Sequence, residues 1–312
     1  MGKTAFLFPG QGSQHPGMAE AFYKQNNDVK ALIDEADRIL DYPLSGLMFA
    51  GPEDELKKTE HAQPALLTAE MASLEALKQK GIKADFAAGH SLGEYTALTA
   101  AGVISYENAL RIVKQRGLFM EEAVPAGDGT MSAVMGLERE TVERICSDIS
   151  SAGGIVQAAN LNAPGQIVIS GDKDAVAKAE EMAQQENAKR VISLEVSGPF
   201  HSRMMEPAQE KLRSAIEPIT FSKPAFPVLS NVNAREETDP AQLKQHVIEQ
   251  VTSPVYWEDT IRRLLELGVD TFIEAGPGNV LGGLVRRVQR RGVNVYSAQD
   301  PESVEKTAAA LS

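Results

Sequence analysis

Apolar residues follow two rhythms along this chain. Short unbroken runs close on glycine or proline, and between them lie longer stretches in which leucine, methionine and alanine return every third or fourth position. The runs predict strands at residues 4–8 before Pro9-Gly10-Gln11-Gly12, at 86–88 before Gly89-His90-Ser91-Leu92-Gly93, at 228–231, and at 271–274 before Ala275-Gly276-Pro277-Gly278. The longer stretches predict helices. In residues 63–80, Leu66, Leu67, Met71, Leu74 and Leu77 share a face that reads as core. Strands alternating with helices, each strand ending in a glycine-rich or polar loop, predict an α/β fold with a mainly parallel sheet and a site at the strand ends.

One stretch breaks the alternation. Residues 127–196 read as strand 131–135, helix 139–149, strand 155–159, turn 162–165, strand 166–170, helix 173–186 and strand 190–196. That β-α-β-β-α-β order predicts a ferredoxin-like subdomain inserted into a core made of residues 1–126 and 197–312. The chain would cross between the two near Pro125-Ala126-Gly127 and near Ser197-Gly198-Pro199.

Composition narrows the function classes. Of 312 residues, 43% are hydrophobic and 24% charged, as in an ordinary globular protein. The net charge of -12 argues against a nucleic-acid partner. The apolar run at residues 4–8 is too short for a leader or a membrane span, and the lone Cys146 has no partner for a disulfide, so a cytoplasmic protein with no membrane association is expected. Against the acidic background, Arg286, Arg287, Arg290 and Arg291 recur within two helical turns. They predict a basic helix face, either a docking patch or a solvated helix end.

Candidate chemistry centres on Ser91. A serine hydroxyl attacks a carbonyl only when it stands clear of the backbone and a base takes its proton. The G-x-S-x-G elbow provides the exposure. With 25 glycines and 20 serines in the chain, the spacing would arise by chance in about one such sequence in eight. Its setting adds weight, because a strand runs in over residues 84–88 and a helix runs out over residues 94–101. The backbone N–H of Leu92, at the helix start, and that of Gln11, in a loop loosened by Gly10 and Gly12, are candidate oxyanion donors. The loop around Gln11 lacks the third glycine and the lysine of nucleotide-binding loops. A plain structural turn is the simpler alternative.

Five histidines compete for the role of base: His15, His61, His90, His201 and His246. His90 should point away from Ser91, His246 sits in a helix-like run at 242–250, and His15 and His61 lie in polar loops. His201, in Ser197-Gly198-Pro199-Phe200-His201-Ser202 just past a strand, is the strongest candidate. No carboxylate declares itself as its orienting partner.

Taken together, Phe8-Pro9-Gly10-Gln11-Gly12-Ser13-Gln14, Gly89-His90-Ser91-Leu92-Gly93-Glu94, Gln115-Arg116-Gly117, Gly198-Pro199-Phe200-His201-Ser202 and Glu274-Ala275-Gly276-Pro277-Gly278 resemble the malonyl-CoA:acyl-carrier-protein transacylase family over nearly the whole chain. The resemblance implies an α/β hydrolase-like core. It further implies Ser91 as nucleophile, His201 as base, the carbonyl of Gln250 in place of a triad carboxylate, and Gln11 and Leu92 as oxyanion donors. Arg116 would grip the free carboxylate of the acyl group, a task its planar fork suits, where the residues alone would make it a surface charge. Phe200 would leave little room for a branched acyl chain. Pro199 departs from the alanine of many relatives and should stiffen the His201 loop. Malonyl-CoA would be substrate and acyl carrier protein partner, with no bound cofactor or metal and a monomeric protein expected. A serine hydrolase and a non-catalytic carrier-docking protein are the rival readings. Arg116 and the lack of a His-Gly-Gly-Gly loop speak against the first.

Overall fold

A computed structural model describes residues 2–125 and 127–311. Among the described residues, ten strands form two sheets. In chain order they are β1 Lys3–Phe8, β2 Phe86–Gly89, β3 Gly129–Met135, β4 Val156–Ala163, β5 Gln166–Asp172, β6 Arg190–Ser193, β7 Val228–Leu229, β8 Glu236–Glu237, β9 Val269–Ala275 and β10 Asn294–Ala298.

The larger sheet runs β10-β9-β1-β2-β7-β8 and is parallel except for the edge pair β7/β8. Its central strand β1 is buried from Ala5 to Phe8, as a strand covered by helices on both faces must be. The register pairs Phe8 with Gly89, so β1 and β2 end level and their following loops lie side by side. The helix Thr59–Gln79 is buried on nearly every side and forms the middle of the main core, consistent with the leucine spacing.

The second sheet runs β4-β5-β3-β6 and is antiparallel throughout, with the helices Arg139–Ser151 and Lys173–Gln185 packed on it. Relabelled by order within the unit, this is the 2-3-1-4 arrangement of a ferredoxin-like sheet. Val134, Ile145, Leu161, Ile169 and Val176 belong to a core of its own. Two backbone bonds fasten the unit to the larger one: Leu161 N–H donates to Val255 O at 2.9 Å, and Val255 N–H to Ala159 O at 2.8 Å. Ala126, at the expected crossing, lies outside the described residues.

Several expected boundaries move. Strand β4 continues through Asn162 and Ala163, leaving only Pro164 and Gly165 as the turn, because the ladder with β5 persists to Ala163–Gln166. Strand β6 ends at Ser193, three residues short of its expected end, and Leu194 and Val196 turn instead toward the main core. The basic run is the clearest correction. The helix Val280–Val288 stops before it ends, Gln289 is extended, and Arg290 and Arg291 lie in the following turn. Arg286, Arg287, Arg290 and Arg291 therefore do not share one helix face. All four are exposed, and Gly292, at φ 77°, completes the turn that a continuing helix would have prevented.

Candidate active site

The glycines of the elbow are demanded by contact. A Cβ on Gly89 would sit 1.9 Å from the carbonyl carbon of Gly93, and one on Gly93 would sit 2.1 Å from the carbonyl oxygen of Phe8. Both lie below any tolerable approach, so strand, turn and helix close this tightly only with glycine at both positions. Ser91 takes φ 51°, a left-handed conformation rare for a side-chain-bearing residue. It is held there by neighbours. Its N–H donates to Asn231 Oδ1 at 2.8 Å, and its carbonyl accepts from Gln250 Nε2 at 3.0 Å.

The β1 loop meets the same turn. A Cβ on Gly10 would stand 2.6 Å from His90 O, so the bare glycine lets Pro9-Gly10-Gln11 press against the elbow. Gln11 and Leu92 both line the cavity around Ser91, and no turn or loop hydrogen bond among the described residues uses the N–H of either.

His201 arrives from across the chain. Its Nε2 lies 2.8 Å from Ser91 Oγ, and its Nδ1 lies 2.9 Å from the carbonyl oxygen of Gln250. A carbonyl only accepts, so Nδ1 carries the proton and Nε2 presents its lone pair to the serine. His201 also has a positive φ of 57°. Its loop is braced: the Ser202 hydroxyl donates to Pro199 O at 2.7 Å, Gln157 Nε2 to His201 O at 3.0 Å, and the Pro199 ring lies over Gly129. Burial, with Arg116 adding to it, pushes the imidazole down to about 3, so it stays neutral at physiological pH.

The other histidines do different work. His90 turns to Asn162 Oδ1 at 2.8 Å and packs on Trp257. His246 is buried in the helix Pro240–Glu249. His15 bonds Pro16 O, and His61 lies against Tyr42.

Arg116 is fully buried, with 1% exposure. The helix Tyr106–Glu122 brings it inside by crossing the helix Thr59–Gln79 at Gly117, where a Cβ would be 2.6 Å from Thr59 O. Its Nη2 donates to Ser91 Oγ at 3.1 Å and to Gln250 Oε1 at 2.9 Å, and its Nη1 to Gln63 Oε1 at 2.8 Å. Its Nε has no hydrogen-bond partner, and no described carboxylate forms an ion pair with it. A guanidinium buried beside the Ser91 hydroxyl, with no carboxylate ion-paired to it, has the charge and the fork to receive an incoming anion.

A cavity of about 380 Å³ opens over these groups. Ser91, Leu92, Arg116 and His201 lie on the larger unit's side, with Phe200 beside them. Met131, Asn160 and Leu194 come from the inserted unit, so the cavity lies between the two.

Solved structures and sequence relatives agree on the class. A model of the acyl transferase domain matches residues 5–304. This chain belongs to the acyl transferase domain family. The acyl transferase is 50% identical to the malonyl CoA-acyl carrier protein transacylase of Bacillus subtilis (strain 168) over 305 residues, covering 98% of this chain and 96% of that one. It is 44% identical to the protein of the same name from Staphylococcus aureus (strain MRSA252), covering 98% of each. Among solved structures it matches the malonyl CoA-acyl carrier protein transacylase of Coxiella burnetii with a TM-score of 0.96 at 38% identity, covering 99% of this chain and 98% of that one. It also matches a malonyl-transacylase in complex with its type II PKS acyl-carrier protein, with a TM-score of 0.95 at 40% identity, covering 99% of each. No described helix of the acyl transferase is long and apolar enough to cross a membrane.

Three residues around the acyl transferase site escape sequence reasoning. Asn231 ends a short apolar run and reads as a strand terminus, yet its Nδ2 donates to Gly89 O at 2.7 Å while its Oδ1 takes the Ser91 N–H. Gln63 and Glu94 lie in helical stretches where a polar residue ordinarily faces water; both are buried. The only local signal for Gln63 is Pro64 beside it within a helix. Glu274, which opens the Glu274-Ala275-Gly276-Pro277-Gly278 motif, caps the helix Val280–Val288 through the N–H groups of Leu281 and Gly282, a structural task.

Proposed function

We propose that this acyl transferase moves a malonyl group from malonyl-CoA to the phosphopantetheine thiol of an acyl carrier protein, in the cytoplasmic synthesis of fatty acids, through a malonyl ester on Ser91. The observation that carries the reading is the buried, carboxylate-free guanidinium of Arg116, 3.1 Å from Ser91 Oγ. An uncharged acyl group would make no ion pair with that guanidinium, whereas a malonyl carboxylate would pair with it directly. The names borne by the relatives point to the same acyl group and the same two carriers.

In the first half-reaction, Ser91 Oγ attacks the thioester carbonyl while its proton passes to His201 Nε2. The N–H groups of Gln11 and Leu92 receive the oxyanion, the helix Gly93–Ala100 adding its dipole. Collapse expels the coenzyme thiolate, which takes the proton from His201. In the second half-reaction, the carrier thiol gives its proton to His201 and attacks the ester; Ser91 leaves as the alkoxide and recovers the proton. Gln250 O holds the imidazole tautomer throughout, the task a carboxylate performs in other triads. The reading needs neither a metal nor a bound organic cofactor, and it treats the protein as a monomer.

Incubation with malonyl-CoA alone tests it. A single malonyl mass increment on Ser91, with one equivalent of free coenzyme released, is the expected result. Steady release of malonate without an adduct would point to a hydrolase. Transfer that persists in Ser91→Ala would leave only a carrier-docking role.

A further inference from the structure

Glu94 is buried directly behind the nucleophile, at the start of the helix Gly93–Ala100. Its Oε2 accepts from Gln250 Nε2 at 2.6 Å and from Asn231 N–H at 3.3 Å, while its Oε1 has no partner. The same Gln250 amide faces Arg116 with its other end, Oε1, at 2.9 Å. Carboxyl, amide and guanidinium thus form one continuous line that ends on Ser91 Oγ.

A primary amide is nearly the same shape when turned over, and its partners alone decide which end is oxygen. Here the partners discriminate sharply. Gln250 Nε2 meets Glu94 Oε2, Ser91 O at 3.0 Å and Asn231 Oδ1 at 3.3 Å, all acceptors, whereas Oε1 meets a cation. Turning the amide over would set its NH₂ against the guanidinium and its oxygen against a carboxylate. Packing alone would not call for a carboxyl at this position, because a half-paired buried one costs stability that an amide or apolar side chain of similar size would not.

Resting on the reading of Arg116 as the acyl-carboxylate grip, we propose that Glu94 is a positioning residue: through the Gln250 amide its carboxylate fixes the aim of Arg116 on Ser91 and serves as its buried counter-charge. The mutual influence is visible in both groups. Arg116 draws Glu94 toward ionisation, and Glu94 favours the charged guanidinium. Burial outweighs this for Glu94 and pushes it up to about 7, so its charge changes across neutral pH. The groups facing it are Arg116 by way of Gln250, Tyr95 beside it in the same helix, and Ser230 and Asn231 from the loop after β7; His201 lies beyond the Gln250 carbonyl and stays neutral above pH 5.

The test is the pH profile of kcat/KM for the loading step, which reports groups of the free enzyme. Wild-type loading by malonyl-CoA is expected to rise about tenfold from pH 6 to pH 8, the effect of one charge-assisted hydrogen bond. Glu94→Gln should be flat over that range at the low-pH level, with malonyl preference over acetyl reduced about tenfold. Glu94→Asp, which keeps the charge, should keep the limb. A wild-type profile that is flat from pH 6 to 8 overturns the proposal without recourse to any variant. So does a Glu94→Gln protein with wild-type profile and preference, or one whose malonyl and acetyl rates fall together while the limb persists. Arg116→Ala, measured alongside, separates the two readings. If it keeps malonyl preference, the carboxylate grip is lost as an explanation, and the limb in wild type and Glu94→Gln still decides the role of Glu94.

Discussion

His201 donates its Nδ1–H to the main-chain carbonyl of Gln250 at 2.9 Å, and this one bond leaves Nε2 free to receive the proton of Ser91. A main-chain oxygen carries no net charge, so it orients the imidazole with less pull toward the protonated state than a carboxylate would exert. Burial and Arg116 then hold the ring well below its ordinary range. In the proposed mechanism, an acyl carboxylate docked on Arg116 relieves part of that repulsion as His201 takes the proton.

Acid stability should report this depression. The folded-state value of about 3 lies below the ordinary histidine value of 6.5, so the contribution of His201 is fully present above pH 6.5 and is lost as pH falls toward 3. Between pH 7.5 and pH 5 the wild-type protein should lose about 2 kcal/mol more than His201→Asn. Chemical denaturation of both at the two pH values checks it; equal losses would show that the ring is not held neutral.

Arg116→Ala should lower kcat/KM for malonyl-CoA about 100-fold and improve relative use of acetyl-CoA, because a bidentate charged contact disappears for one substrate only. Competition between the two thioesters measures the ratio directly. An unchanged ratio removes Arg116 from substrate recognition.

Asn231→Ala strips partners from two backbone groups of the elbow, Gly89 O and Ser91 N–H. Stability should fall by about 2–4 kcal/mol. The loading kcat should fall more than KM rises, since the nucleophile loses its aim while the acyl grip remains. A fall in stability with unchanged kcat would confine Asn231 to the fold.

Gly93→Ala forces a Cβ to within 2.1 Å of Phe8 O, a backbone atom that cannot swing aside. A loss of at least about 3 kcal/mol, or no folded protein, is expected. Wild-type denaturation would mean that β1 and the elbow do not meet as described.

If the exposed arginines dock an acidic carrier, their charge sets the rate of encounter. Arg290 and Arg291 are exposed, and Arg287 reaches across to Gln166 Oε1 of the inserted unit at 2.8 Å. Reversing Arg290 and Arg291 to glutamate should slow transfer to the carrier about fivefold and flatten its salt dependence, leaving loading by malonyl-CoA untouched. Stopped-flow transfer at two ionic strengths distinguishes this from a patch that merely faces solvent.

Much of this architecture was legible before folding, because its signals are local. The strand at residues 4–8, the elbow around Ser91 and the β-α-β-β-α-β order of residues 127–196 rest on side-chain period and on glycine at fixed spacing. The short edge strands β8 and β10 were not legible, since Glu236–Glu237 carries no apolar pattern and Asn294–Ala298 is only partly buried.

The sequence by itself determined an α/β chain with a serine elbow, a short roster of histidines and an arginine that its helical setting alone would place at the surface. Only the tertiary structure decided that Arg116 lies inside, because the close helix crossing at Gly117 depends on chain remote in sequence. The burial of Asn231, Gln250 and Glu94 beside Ser91 was decided in the same way. A polar side chain in a helix or at a strand end looks the same whether water or a nucleophile is its neighbour; what distinguishes them is the burial imposed when β1, β2 and β7 align and deliver Gln11, Ser91 and Asn231 to one edge.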